Sequence, residues 1–350
     1  MEKENIKNLF LKNDIPIQED IVLAPFTTWK IGGKADFFII VLENSDLIKI
    51  CNICNSNEIP LTILGQGSNV LISDNGIRGI VVINRISKIS VISQKEGGQG
   101  IKKIITPRLE NSSFSDVNYY EKKIMDVQVK VSSGTSLAYT INNLLNQGIT
   151  GLQWFAGIPG TIGGAVYNNI HGGNHYLSEY IDNVTAITDK GELTRLNKDV
   201  LVFDYDYSSF QDNKQIIMEV VLILNRGNIK KAQKAAHQLI LKKREHLPYN
   251  SAGCCFKNLT LEEKNKYNIA NGSWGYIIEN ILKLKGRRIG DAKISERHAA
   301  FIENIGKATS QDVLDLINLV YFTAKEKIEI TPSTEIFFLG FDSKDIAHLL

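Results

Sequence analysis

The stretch Gly157-Ile158-Pro159-Gly160-Thr161-Ile162-Gly163-Gly164-Ala165-Val166-Tyr167-Asn168-Asn169-Ile170-His171-Gly172-Gly173-Asn174 decides how this chain is read. It holds six glycines in eighteen residues, one proline, and no Asp, Glu, Lys or Arg. Glycine permits positive φ and lets a ligand come close to the main chain. Unblocked N–H groups in such a loop suit phosphate oxygens. The segment therefore points to a phosphorylated cofactor or a nucleotide, with a plain glycine-rich bend between strands as the alternative.

Working outward, the 350 residues give room for about two to three domains. Hydrophobic content of 43% and charged content of 22% are those of a globular protein that buries a sizeable core. A formal net charge of +2 implies neither a basic nucleic-acid face nor an acidic tail. Met1 to Asp20 is polar, without the apolar core of a signal peptide, and the longest apolar run, Phe37 to Leu42, is far too short to span a membrane. The expectation is a cytoplasmic protein with reduced thiols at Cys51, Cys54, Cys254 and Cys255. Cys51 and Cys54 fall on an apolar helix stripe with no second ligand pair, so core packing is expected there and no metal.

Periodicity predicts a helix over Asp46–Asn57 and strands at Leu61–Leu64, Gly79–Ile83 and Val127–Val131. A helix capped at Thr135 or Ser136 runs to Gly148. Further strands are expected at Val184–Ile187 and Ile216–Leu224, and an amphipathic basic helix at Ile229–Glu245. Thr309-Ser310-Gln311-Asp312 reads as a capping box that opens a helix with Val313, Leu316, Ile317 and Val320 inward. Glu329 to Gly340 reads as a strand. Gln94 to Lys123 is polar and reads as a surface excursion.

Several short motifs then recur in one order: Thr27-Thr28-Trp29-Lys30-Ile31-Gly32-Gly33-Lys34-Ala35, Gly65-Gln66-Gly67-Ser68-Asn69, the Gly157 to Gly164 loop, Ser251-Ala252-Gly253-Cys254-Cys255-Phe256-Lys257-Asn258, Lys283-Leu284-Lys285-Gly286, Ser295-Glu296-Arg297-His298-Ala299 and Glu335-Ile336-Phe337-Phe338-Leu339-Gly340. Together, over about residues 20 to 340, they resemble the UDP-N-acetylenolpyruvoylglucosamine reductase (MurB) family. The resemblance implies an α+β chain: an FAD-binding fold of the vanillyl-alcohol-oxidase (PCMH) type in two subdomains, 1–86 and 87–227, and a C-terminal α+β substrate domain, 228–330. Residues 331–350 would return to the first subdomain. It further implies bound FAD, NADPH as hydride donor and a UDP-sugar substrate, in a monomer.

Residue by residue, the resemblance assigns FAD contacts to Thr28, Trp29, Gly65, Gln66, Gly67, Ser68, Asn69, Gly157, Ile158, Pro159, Gly160, Thr161, Gly163 and Gly164, with Trp29, Ile158 and Ile162 as walls for the flavin ring. A hairpin turn at Gly32-Gly33 is the plain alternative for the first motif. Cys254 stands where most members carry a serine proton donor. A thiol, with an ordinary pKa near 8.5, is the easier donor, whereas a small buried hydrophobe is the alternative. Cys255 is expected to pack. Glu335 matches a late glutamate that assists at the substrate carboxylate. Tyr205, Lys257, Asn258 and His298 are the expected substrate contacts, and Lys243 or Arg244 is a candidate partner for the pyrophosphate, a solvated helix face being the alternative. Two departures stand out. Tyr205-Asp206-Tyr207-Ser208-Ser209-Phe210 carries aspartate where the motif has an arginine, and an ionised carboxylate donates no hydrogen bond. Asn169 to Asn174 also leaves the pattern. A different flavin oxidoreductase of the same fold, or a nucleotide-sugar binding protein without catalysis, are the competing readings.

Overall fold

The computed structural model describes residues 2–94 and 125–349, so the expected excursion lies, apart from Gln94, outside the described residues. The chain divides into two compact units. The first comprises Met1–Ile17, Ile39–Gly65 and Val82–Lys243; the second comprises Gln18–Phe38, Gln66–Val81 and Arg244–Leu350.

In the first unit an antiparallel sheet runs in the order Leu193–Asn197, Ile181–Ile187, Ile216–Arg226, Val127–Ser132, Ile89–Gln94. Val127, Val129 and Val131 turn inward, and Gln128 and Lys130 are only half-buried, as the alternation requires. The helix Leu137–Asn146 begins at Ser136, whose hydroxyl accepts from Tyr139 N–H, and Leu137, Ile141, Leu144 and Leu145 enter the same core. Full burial of each such aliphatic chain is worth roughly 1.5–3 kcal/mol. The helix Asn44–Ser56 buries Leu47, Ile50, Cys51 and Cys54. Burial pushes both thiols up to about 12, so they are inert core groups, as their spacing on the stripe suggests. The helix Ile229–His246 buries Ala232, Ala235, Ala236 and Leu239.

In the second unit Gln18–Val22 pairs antiparallel with the start of the strand Lys34–Val41. Gly32 and Gly33 do not form a turn. Their carbonyls accept from Ala24 and Leu23 N–H, which continues the ladder. A Cβ on Gly33 would lie 2.1 Å from the Asp74 carbonyl, so the residue is small because another main chain passes there. The helix Ser310–Ile328 opens with the expected reciprocal cap: Thr309 Oγ1 accepts from Asp312 N–H at 3.0 Å, and the Asp312 carboxylate accepts from Thr309 N–H at 2.9 Å. It packs on a small sheet of Arg288–Ile289, Ala292–Ile294 and Ile302–Asn304.

The C-terminal strand is shorter than its sequence suggests. Glu329, at φ 56°, terminates the helix, Pro332 has no N–H to give a ladder, and only Phe337–Leu339 forms a strand, parallel to Val70–Ile72. Before it, Thr334 makes a single bridge to Phe256.

Candidate functional site

Within the second unit, the motifs are tied together by main-chain bonds. Cys255 N–H donates to the Ala300 carbonyl at 2.9 Å, and Glu335 N–H donates to the Cys255 carbonyl at 2.9 Å. Cys254 itself bridges Phe301. The Glu335 carbonyl accepts from the Asn69 side-chain amide at 3.1 Å, and Phe337 N–H donates to the Asn69 carbonyl at 3.0 Å. Residues from four distant stretches thus meet at one crossing of the chain, with Cys254 and Glu335 at adjoining backbone positions. Both are half-buried. Cys255 is fully buried, and its thiol is pushed up to about 12 by burial, so it packs, while Cys254 is only partly buried against the same core. Gly253, at φ +86°, has nothing within 4 Å of where a Cβ would stand. The space next to Gly253, in the chain position before Cys254, is therefore open.

The Gly65 to Asn69 turn and the first motif serve this crossing. Thr28 N–H donates to the Gly67 carbonyl at 3.0 Å, with the Thr28 hydroxyl 3.4 Å from the same oxygen. Gly67, at φ +59°, passes so close to Phe26 that a Cβ would stand 2.4 Å from its carbonyl. Trp29 is a correction. Its ring is completely buried in the core, and its Nε1–H donates to the Ile302 carbonyl at 2.7 Å, so the side chain pins the Ile302–Asn304 strand and offers no face to a flavin.

In the first unit, the Gly157 to Gly164 loop leads into the short helix Ile162–Tyr167, where Thr161 Oγ1 accepts from Gly164 N–H at 3.3 Å. Four of its amides are engaged internally. Ile158 N–H donates to Phe155, Ile162 N–H to Thr135, Gly163 N–H to Ser133, and Gly164 N–H to the Thr161 cap. The expectation of a row of unblocked N–H groups is corrected accordingly. The glycines are needed chiefly for close approach. A Cβ on Gly163 would meet Ser133 at 2.8 Å, and one on Gly65, which belongs to this unit, would meet Thr161 Oγ1 at 2.5 Å. Gly65 therefore lies directly against Thr161. Gly157, Pro159 and Gly164 remain exposed, with no charged side chain among them. Ile158 is half-buried, but Ile162 is wholly in the core and cannot wall a flavin.

Lys243 stands at the foot of this loop. Its Nζ donates to the Ala156 carbonyl at 2.8 Å, and its side chain lies 3.1 Å from where a Gly157 Cβ would sit. Burial pushes its amine down to about 7. It braces the loop from beneath, a role its place on a basic helix gave no sign of.

Among the expected substrate contacts, Lys257 is half-buried and Asn258 is exposed, with the Asn258 side-chain carbonyl accepting from Trp274 N–H at 3.1 Å. His298 is half-buried, edge-on to Phe301, and its Nδ1 accepts from Ala300 N–H at 3.3 Å. Burial first, and then nearby His246, hold its imidazole below the ordinary value. These three share the second unit. Tyr205 lies in the first, its ring 5.1 Å from that of His171. Asp206, buried and at φ +50°, sits at the tip of the Phe203–Ser208 hairpin, with Oδ1 3.2 Å from His171 Nδ1. His171 was missed as a partner because 35 residues separate the two in sequence.

Residues 245–339 match the C-terminal domain of UDP-N-acetylenolpyruvoylglucosamine reductase, and residues 110–197 match an FAD-binding domain. The chain is 31% identical over 351 aligned residues to the UDP-N-acetylenolpyruvoylglucosamine reductase of Clostridium novyi, covering 99% of this chain and 95% of that protein. The reductase of Listeria innocua is 30% identical over 330 residues, covering 94% and 96%. The crystal structure of the Thermus caldophilus reductase superposes with a TM-score of 0.68 at 24% identity, over 93% of this chain and 99% of that one. The fold is thus an FAD-binding fold of the vanillyl-alcohol-oxidase type joined to the C-terminal domain of these reductases.

Proposed function

The chain belongs to the UDP-N-acetylenolpyruvoylglucosamine reductase family, and from that premise we propose that it reduces the enolpyruvyl ether of UDP-N-acetylglucosamine to the lactyl ether of UDP-N-acetylmuramate, a step of peptidoglycan precursor synthesis. The balance is one NADPH and one proton consumed per alkene. A hydride adds to the terminal carbon, a proton adds to the ether-bearing carbon, and NADP⁺ leaves. FAD, when bound, would supply the hydride transfer between NADPH and the alkene.

The residues present fit that cofactor. The exposed, uncharged Gly157 to Gly164 loop admits a diphosphate close to the main chain, and the Gly65 to Asn69 turn is bonded to the segment that carries Glu335. Thr28, Gln66, Ser68 and Asn69 complete the proposed set.

The observation that carries the proposal is the crossing at Cys255 and Glu335, with the open face of Gly253 beside Cys254. Cys254 is the proposed proton donor to the ether-bearing carbon, reprotonated from solvent, and Glu335 the proposed partner at the substrate carboxylate. Lys257, Asn258 and His298 are the proposed contacts of the UDP-sugar in the second unit, and Tyr205 in the first. The reading includes the three-part division 1–86, 87–227 and 228–330, with 331–350 returning to the first part. It also includes a monomer working in the cytoplasm; among the described residues no helix is long and apolar enough to cross a membrane.

The test is NADPH oxidation by FAD-loaded protein with UDP-N-acetylglucosamine enolpyruvate. Substrate-dependent turnover is expected. Flavin that NADPH reduces but the enolpyruvyl sugar does not reoxidise would overturn the reading.

A further inference from the structure

The helix Ile229–His246 gives one face to the core and another to the outside. Asn228 opens it, its side-chain carbonyl accepting from Lys231 N–H at 3.0 Å. Ala232, Ala235, Ala236 and Leu239 are its buried positions. Lys230, Lys234, His237 and Leu241 follow one another at intervals of four, three and four residues, so they form a single row along the opposite side. All four are exposed, and Lys231 is exposed beside them. At 1.5 Å per residue the row is about 16 Å long.

The charge on this face is of one sign. From Ile229 to Lys243, the part of the helix that belongs to the first unit, there are five lysines and no Asp, Glu or Arg. Those fifteen residues carry +5 in a chain whose total is +2, so the rest of the molecule is net negative. Lys243 turns inward to brace the glycine loop. Lys230, Lys231 and Lys234 have no such task, and they form no ion pair among the described residues.

The neighbouring surface does not dilute that charge. The helix Leu137–Asn146 adjoins: the Gln233 side-chain amide donates to the Asn146 side-chain carbonyl at 3.0 Å, and Gly227 N–H donates to the Gly148 carbonyl at 3.1 Å. That helix contains no charged residue, and Ser133 to Gly148 contains no acidic one. Its exposed positions are Ala138, Tyr139, Asn142 and Asn146. A cationic row thus lies beside a neutral strip, with no carboxylate in either.

The chemistry of the row selects its partner. A lone helix face is convex and offers no groove for a peptide. Its cations are all lysine, whose ammonium is a point charge without the planar fork that arginine presents to a single carboxylate or phosphate. Lysine is depleted where protein meets protein, whereas arginine and aromatic residues are enriched there. A broad anionic plane makes no demand on geometry, and each lysine near it contributes in parallel. Leu241, 43% exposed within the row, and Ile229, 40% exposed at its start, have a use at a headgroup layer and none on a nucleic-acid backbone. We propose that the outer face of this helix is a peripheral docking surface for an anionic lipid bilayer, held by Lys230, Lys231 and Lys234, with Leu241 entering the headgroup region. Because the apolar face of the helix is committed to the core, the attachment is electrostatic and reversible, and nothing inserts deeply. None of these residues belongs to the proposed catalytic or binding set, so the inference stands apart from the reductase reading.

The test is co-sedimentation of the full protein with vesicles of equimolar phosphatidylglycerol and phosphatidylcholine, against vesicles of phosphatidylcholine alone, at low and at high salt. The wild type should bind the anionic vesicles, ignore the neutral ones and be released by high salt, since exposed charges are screened. Each lysine at such a surface is worth about fivefold in affinity. Lys230→Gln, Lys231→Gln and Lys234→Gln combined should therefore lower the partition on the order of 100-fold. Leu241→Ser should lower it a few-fold. All variants should keep the wild-type far-UV spectrum and urea midpoint, as changes at exposed positions do. A wild type left in the supernatant with anionic vesicles, or a triple variant that binds within about twofold of wild type, would overturn the inference. So would a DNA duplex or polyglutamate bound more tightly than the vesicles, which would make the partner a nucleic acid or an acidic protein. The vesicle assay uses no substrate, so its failure leaves the reductase reading intact, and a failure of turnover leaves the docking face intact.

Discussion

The glycine loop of the first unit and the Cys254–Glu335 crossing of the second are built in opposite ways. In the loop, amides of Ile158, Ile162, Gly163 and Gly164 point inward and hold a bare main-chain surface in shape. At the crossing, the main chains of Cys255 and Glu335 and the Asn69 amide fasten Cys254 and Glu335 at adjoining positions. One region offers shape and the other offers functional groups. A surface that takes a diphosphate needs closeness, so side chains are removed from it. A surface that moves a proton needs a thiol or carboxyl at a fixed place, so the main chain is fastened behind it.

The largest expected effect is at the crossing. Cys254→Ala should leave flavin reduction by NADPH intact and slow reoxidation by the enolpyruvyl sugar by about 10²–10⁴-fold, read by rapid mixing. Cys254→Ser should restore much of the rate. Equal rates in both half-reactions for the alanine variant would remove the thiol from the chemistry and leave the crossing as scaffold.

Next is the brace under the loop. The Lys243 amine is pushed down to about 7 by burial, whereas the unfolded chain keeps an ordinary lysine. Between these values the unfolded state binds more protons, so this group's contribution is fully present above about 10.5 and is lost as pH falls to about 7. Urea unfolding should show stability rising with pH over that window by a few kcal/mol at most, and Lys243→Met should flatten the rise. A slope unchanged in the variant would mean that the amine is solvated.

Gly163→Val probes the loop directly. The new side chain meets Ser133, with an overpacking cost of about 1–3 kcal/mol. The purified protein should lose its flavin absorbance while the second unit keeps its fold. Full flavin content would show that the loop's shape is not what holds the cofactor.

The smallest effect is at His298, back in the second unit. Burial holds its imidazole low, so its contribution is complete above about 6.5 and declines as pH falls toward its folded value. His298→Phe should remove that acid-side decline in urea titrations without altering the alkaline side. An identical acid limb in the variant would count against burial as the cause.

The contrast also explains what could be read in advance. The loop was legible because closeness demands glycine, and glycine is visible in sequence. The alternation at Val127, Val129 and Val131 and the cap at Thr309 were legible because their partners lie within a few residues. The crossing was legible only by resemblance, since Asn69, Cys255, Ala300 and Glu335 share no local pattern. The misreadings have the same origin. Trp29 and Ile162 carry side chains suited to a flavin wall, but burial is a property of the folded chain, and both went to the core. The open amides expected of the loop were taken by carbonyls of residues 133, 135 and 155.

By itself, then, the sequence determined the order of the motifs, the positions that must be glycine and the periodic faces of helices and strands, because those depend on covalent geometry and near neighbours. It also revealed that residue 206 has the opposite charge to the motif it interrupts. Tertiary structure alone decided how that charge is answered. It brought His171 to Asp206 across 35 residues and left the second Asp206 oxygen buried without a partner. It also placed a half-buried lysine under a loop that has no charge of its own. Pairing between distant side chains follows from packing, and packing leaves no period in the sequence.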